Sequence, residues 1–339
     1  MRNALTAALV LLSSLCIAAQ ENPAARPKTS YKVPRTPDGQ PDLQGYWTNL
    51  TYTPFERPKA LANTPLYTER EAVEAFNKAV AESQNQAVHY VNTDFGATPV
   101  QTGAKPNRQT SLVIDPPDGR VPPLTPEARE RETARQVVER AAGPLARTWR
   151  DDRGAVWCVF HDRAVPSVVA PYGSNYQIVQ SRDWIVLSYE WNSEHRIIPL
   201  DGRPHGPSSV RSYAGDARGH WEGDTLVVET TNFSLKRNFF GSQGTFTLVD
   251  RFTRTADDTI IHTYTVEDPT TWTKPWTVEM QMHRINGPML EYACNENNVD
   301  IFTALRNARA QEQGKLPPPD RVKNVDDAKA TVLEREDGK

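Results

Sequence analysis

Downstream of residue 176 apolar and polar side chains alternate with a period of two, the spacing of strands that bury one face. Residues 176–180, 184–191 and 196–200 are three such runs, parted by Ser181-Arg182-Asp183 and Asn192-Ser193-Glu194. Gly223-Asp224 fits a tight hairpin turn between 218–222 and 225–232, and Ala256-Asp257-Asp258 does the same between 245–254 and 259–268. Asn286-Gly287-Pro288 joins a run at 276–285 to another at 289–294. About nine strands in sequence, with no convincing helix between them, predict an antiparallel meander. A long meander leaves two open edges unless it closes. The expected fold is therefore mainly β, a lipocalin-like barrel that can hold one small ligand. In 259–268 one face carries Ile260, His262, Tyr264, Val266 and Asp268, and the other Thr259, Ile261, Thr263, Thr265 and Glu267. Neither face is purely apolar, which fits a polar-lined cavity or a strand covered on its outer side by the N-terminal part of the chain.

Upstream, helical periodicity occurs twice. Thr68 and Glu71 make a capping box ahead of a stripe of Ala72, Phe76, Ala79 and Val80. A second helix starts at Thr125-Pro126 and stops at Gly143, with a thin apolar face of Ala134, Val137, Val138 and Ala141. More than half of the 27 prolines fall between residues 20 and 126. Residues 20–150 thus read as an arm packed on a barrel domain at 151–313, because Tyr46, Trp47, Tyr52 and Phe55 need covering and the arm has no core of its own. A short helix over 300–313, with Ile301, Leu305 and Ala308 on one side, closes the domain. Residues 314–339 are charged and proline-led, and are expected to stay disordered.

Composition narrows the function classes. With 38% hydrophobic and 24% charged residues, the 339-residue chain is apolar enough to fold. A net charge of −3 without a basic stripe excludes nucleic acid as a partner. Met1-Arg2-Asn3 followed by an apolar run to Ala19 has the layout of a secretory signal, cleaved after Ala19. The run is shorter than the ~20 residues that span a bilayer, so no stable membrane insertion is expected and the protein is placed in the periplasm or outside the cell. A lipid-modified Cys16 is the alternative. Removal of the signal leaves Cys158 and Cys294, which are expected to form a disulfide in an oxidising compartment. The competing role for either, as a nucleophile, lacks any catalytic-cysteine sequence around it.

Several motifs occur together: Pro37-Asp38-Gly39 with Pro41-Asp42-Leu43-Gln44-Gly45, Asp115-Pro116-Pro117-Asp118-Gly119-Arg120, and Arg196-Ile197-Ile198-Pro199-Leu200-Asp201-Gly202-Arg203-Pro204-His205. Gly219-His220-Trp221-Glu222-Gly223-Asp224, Val266-Glu267-Asp268-Pro269 and Glu291-Tyr292-Ala293-Cys294 complete the set. Over about residues 37–312 the chain resembles a group of exported bacterial proteins without an established activity. That resemblance implies export and no particular reaction. Asn295 stands where a histidine is frequent in that group.

Candidate chemistry gathers in two clusters. Asp216, Arg218, His220, Glu222 and Asp224 alternate, so on a strand most of them share one face. One reading is a solvated hairpin. The other makes His220 a general acid or base oriented by Asp216 or Glu222, with Arg218 neutralising a developing anion. Glu190, His195 and Arg196 flank one turn, where a surface ion pair competes with a carboxylate that raises histidine basicity. The expected catalytic set is His220, Glu190, Asp216 and His195. Arg218, Arg196, Trp221, Tyr264 and His205 are the expected substrate contacts. His195, His205, His220, His262 and His283 show no short-range ligand pair, and no nucleotide loop or nucleophile elbow occurs, so neither metal nor cofactor is expected. Two functions follow. One is a cofactor-independent hydrolase, lyase or isomerase acting on a small molecule; the other is a lipocalin-like carrier for a small amphipathic ligand.

Overall fold

The computed structural model describes residues 31–85, 104–142, 165–169, 174–290, 296 and 299–316. Strands β3 (Asn175–Gln180), β4 (Trp184–Tyr189) and β5 (His195–Pro199) form one antiparallel run. A second comprises β6 (Asp216–Glu222), β7 (Thr225–Thr231), β8 (Thr247–Ala256), β9 (Thr259–Glu267) and β10 (Trp276–Arg284). These are eight of the runs expected from alternation. The ninth, at 289–294, does not appear as a strand at Met289 or Leu290, and residues 291–294 lie outside the described residues. The two runs are joined by a strand from the arm. β1 (Gly45–Thr48) pairs with β3 on one side and β10 on the other, giving the order β5-β4-β3-β1-β10-β9-β8-β7-β6. β2 (Val113–Asp115) adds to the remaining length of the β10 edge. The arm therefore supplies part of the wall as well as a cover. Alternation failed to find β1 because a strand of four residues is too short to show a period.

The sheet is a nearly closed barrel whose seam lies between β5 and β6, which touch without forming a ladder. Gly219 permits this approach: a Cβ there would sit 2.7 Å from Ile198 and 2.8 Å from Leu200. Between β6 and β7 the left-handed φ of +60° falls on Gly223, the first turn residue, as a type II′ hairpin requires. Inside, Trp47, Ile178, Ile185, Leu187, Leu226 and Val278 are buried, each on the inward phase of its strand.

Helix α1 (Glu69–Asn85) begins at the expected capping box. The Thr68 backbone N–H donates to Glu71 Oε2 at 2.8 Å, and the Glu71 N–H returns a bond to Thr68 Oγ1 at 3.3 Å. Helix α2 (Pro126–Ala142) starts with Thr125 Oγ1 accepting from the Ala128 N–H at 3.2 Å. Helix α3 (Asp300–Glu312) ends the described chain. Just past β9, Asp268 ties two loops together. Its Oδ2 accepts from Ser242 and Thr245 at 2.6 Å and from Thr271 at 2.8 Å. Burial alone would raise this carboxyl, but the four hydroxyl donors, with Thr270 as the fourth, outweigh it and hold it below its ordinary value.

Candidate functional site

On β6 the burial alternates so that Ala217 and Gly219 face inward while Asp216, Arg218, His220 and Glu222 face outward. The alternating charges share one face, and that face is the outside of the barrel. His220 is exposed and sits with Nε2 3.2 Å from Glu222 Oε1, while Arg251 Nη1 reaches Glu222 Oε2 at 2.7 Å. The loop after β5 folds back over this surface. His205 places Nδ1 3.2 Å from Asp216 Oδ2 and Nε2 3.0 Å from Glu229 Oε1. Asp216 also accepts the Gly206 N–H at 2.8 Å and pairs with Arg218. Burial would raise the Asp216 carboxyl, and these donors carry it below its usual value instead. His195 is exposed on β5 and lies 3.0 Å from Ser188 Oγ on β4. Glu190 is half-buried, and that burial raises its carboxyl despite hydrogen bonds from Asn175. Trp221 packs against the core. His220, Asp216, Arg218 and His205 are thus together on the outer wall, apart from the interior that the cavity chemistry requires. Cys158 and Cys294 lie outside the described residues.

The interior holds a different polar set. On β8 the inward phase runs Leu248, Asp250, Phe252, Arg254, and on β9 it runs Ile260, His262, Tyr264, Val266. Asp250 faces Tyr264 across the ladder and Phe252 faces His262, so Asp250 and His262 are diagonal neighbours. His262 Nε2 donates to Asp250 Oδ1 at 2.8 Å. Arg196 reaches in from β5, over the small β6 residues, to an ion pair with Asp250 Oδ2 at 2.7 Å and a bond to Thr230 Oγ1 on β7. The Tyr189 hydroxyl lies beside the Arg196 guanidinium. Tyr189 packs edge-on to Tyr176, with ring centres 4.9 Å apart. Asn49, just past β1, donates from Nδ2 to Tyr176 at 2.7 Å and to Ser167 at 2.8 Å. Tyr264 donates to the Ser167 carbonyl at 2.9 Å. The result is a polar belt inside the barrel wall, entered by residues 165–169 of the chain itself.

Charge in the belt is balanced. Burial would push the Asp250 carboxyl up, but Arg196 and then His262 outweigh it and hold the group ionised below its ordinary value. Burial and the nearby Asp250 charge push the Tyr264 phenol far up, so it stays a neutral donor. A carboxylate on Nε2 fixes the tautomer with the proton there, which leaves Nδ1 as the basic nitrogen. Three belt atoms, Asn49 Oδ1, Asp250 Oδ2 and Arg196 Nε, are buried without a hydrogen-bond partner among the described residues, Asp250 Oδ2 being held by its ion pair with Arg196. Asn49 Oδ1 and Arg196 Nε are thus left as one acceptor and one donor for a further polar group. Among the described residues no group of three or more His, Cys, Asp or Glu side chains is placed to hold a metal ion. A groove of about 350 Å³ lies elsewhere, between α1 and the two segments that carry Tyr52 and Gln109.

Of the expected contacts, Arg196 and Tyr264 belong to the belt. Asp250, Asn49, Tyr176, Tyr189 and Thr230 were not singled out from sequence. For Asp250 a signal existed: a lone carboxylate on the apolar phase of an otherwise alternating strand. Asn49 and Ser167 gave none, because each lies outside any strand. The chain matches no protein-family model and no curated protein.

Proposed function

We propose that this is an exported barrel protein that performs acid/base chemistry on a small uncharged molecule, with His262 as proton carrier and Asp250 as its orienting group. The observation that supports the reading is the 2.8 Å bond between His262 Nε2 and Asp250 Oδ1, both side chains being buried inside the barrel. A buried histidine paired with a carboxylate that is itself neutralised by Arg196 is costly to maintain unless the pair is used. In this scheme Nδ1 takes a proton from the substrate and returns it to product, while Asp250 stabilises the imidazolium. Arg196 Nε, buried and unpaired, is the donor for a developing oxyanion. The substrate is uncharged because Asp250 already satisfies Arg196 electrostatically, which leaves no free cation in the belt to hold an anion. Phe252, stacked on His262 with ring centres 4.1 Å apart, favours an apolar or aromatic body on the substrate.

The test is incubation of the purified protein with a small-molecule extract of its host, followed by mass spectrometry. Wild type should deplete one uncharged compound catalytically, and His262→Gln should lose that turnover by roughly 10²-fold or more. Stoichiometric retention of a compound without conversion would replace catalysis by the carrier function.

A further inference from the structure

At the barrel end organised by Asp268 the backbone departs from a local rule. Phe239 and Ser242 exchange backbone hydrogen bonds of 2.9 and 3.0 Å, which makes Phe240 and Gly241 a two-residue hairpin turn. Both turn residues have positive φ, +47° and +94°. Such turns take Asn, Asp or Gly first, because a Cβ in the left-handed region crowds the neighbouring carbonyl. Phenylalanine is among the poorer choices. Its ring is not hidden in compensation, since Phe240 remains 41% exposed. It lies flat against Phe55, with ring centres 5.1 Å apart and planes 9° from parallel. Its contacts with Phe239 and Trp276 are edge-to-face. The surroundings hold the turn in place. The Gly241 N–H donates to Asn238 Oδ1 at 3.1 Å, and Ser242 Oγ donates to Asp268 at 2.6 Å.

A strained, exposed aromatic on a pinned turn points to use rather than to stability. We propose that Phe240, backed by Phe55, is a stacking platform that binds a planar uncharged aromatic group at this end of the barrel. The offset stack that Phe240 already makes with Phe55 is the arrangement a further ring would extend. An uncharged ring fits because Glu132, which accepts from Asn238 two positions before Phe240, is already paired with Arg135. Trp276 stands between Phe240 and the belt residue Tyr264, and the platform does not rest on the chemistry proposed for the belt.

Saturation-transfer NMR with 2-naphthol, cyclohexanol and methyl glucoside tests the platform. Wild type should saturate the 2-naphthol protons and neither of the others. Phe240→Asn suits the turn better, so it should fold with an unchanged or higher Tm, yet bind 2-naphthol at least tenfold more weakly. Phe240→Trp should retain binding. Equal affinity in the Asn variant, no naphthol signal in wild type, or an equal signal from cyclohexanol would each overturn the platform. His262→Gln should bind as wild type does. Loss of naphthol in that variant alone would move the ring into the barrel interior, overturning the platform while leaving the belt chemistry standing.

Discussion

The barrel wall carries a row of a histidine, a carboxylate and an arginine twice, once on each face. Outside, His220, Glu222 and Arg251 form a row with contacts of 3.2 and 2.7 Å. Inside, His262, Asp250 and Arg196 form a row with contacts of 2.8 and 2.7 Å. The distances are similar and the surroundings are not: the outer histidine side chain is 60% exposed and the inner one 6%. Water screens the outer row, where such a pair contributes about 0–1 kcal/mol. The inner row has lost its hydration, so each charge depends on its partners. Chemistry readable from residue identity is therefore set by strand phase, and a shift of one position exchanges the two environments.

The largest test of that contrast is removal of each carboxylate. Asp250→Ala should cost about 3–5 kcal/mol, because it leaves Arg196 buried and unpaired, whereas Glu222→Ala should stay within about 0.5 kcal/mol. Urea unfolding of both variants measures the difference, and equal costs would erase the distinction between the faces.

Protonation sharpens it. His283 lies on β10 beneath the Lys105–Asp258 pair, and burial, helped by Lys105 and opposed by Asp258, lowers its pKa to about 4. The folded state thus resists a proton that the unfolded chain accepts near pH ~6.5. Stability should be full above that value and fall by up to about 3 kcal/mol as pH drops toward 4, at about 1.4 kcal/mol per unit. The lowered Asp250 carboxyl adds loss in the same direction at still lower pH. Chemical denaturation across that window should show a slope that His283→Gln flattens.

The seam offers a smaller perturbation. Gly219→Ala places a methyl against Ile198 and Leu200, which should cost about 1–3 kcal/mol by overpacking. It should also increase hydrogen exchange along β5 and β6. Glu190→Gln works in the opposite sense. Its carboxyl is raised by burial, so ionisation at neutral pH opposes folding. The glutamine variant should be more stable by under about 1 kcal/mol at pH 7 and no more stable at pH 3, read from unfolding midpoints.

Most of the barrel was legible because eight of its strands are long enough to alternate and are joined by turns of known chemistry, such as Gly223-Asp224. β1 was not, because Gly45–Thr48 is short and its place between β3 and β10 is fixed by contacts more than a hundred residues distant in sequence. The site was legible in part. The sequence shows that Asp216, Arg218, His220 and Glu222 share a face, but which face is inward depends on the neighbouring strands. Arg196 and Tyr264, expected as substrate contacts, lie on inward phases. Asp250 carried a signal, a carboxylate on the inward phase of β8, but its partnership with His262 follows only from the register of β8 on β9.

The most direct test of the belt as a proton-transfer site uses 5-nitrobenzisoxazole, a neutral planar compound that opens when a base removes its ring proton. The released nitrophenolate is followed by absorbance. Wild type should accelerate this opening above buffer containing an equal concentration of imidazole. His262→Gln should fall to that background, while His220→Gln should match wild type. Acceleration that survives in His262→Gln and vanishes in His220→Gln would place the chemistry on the outer face and contradict the account.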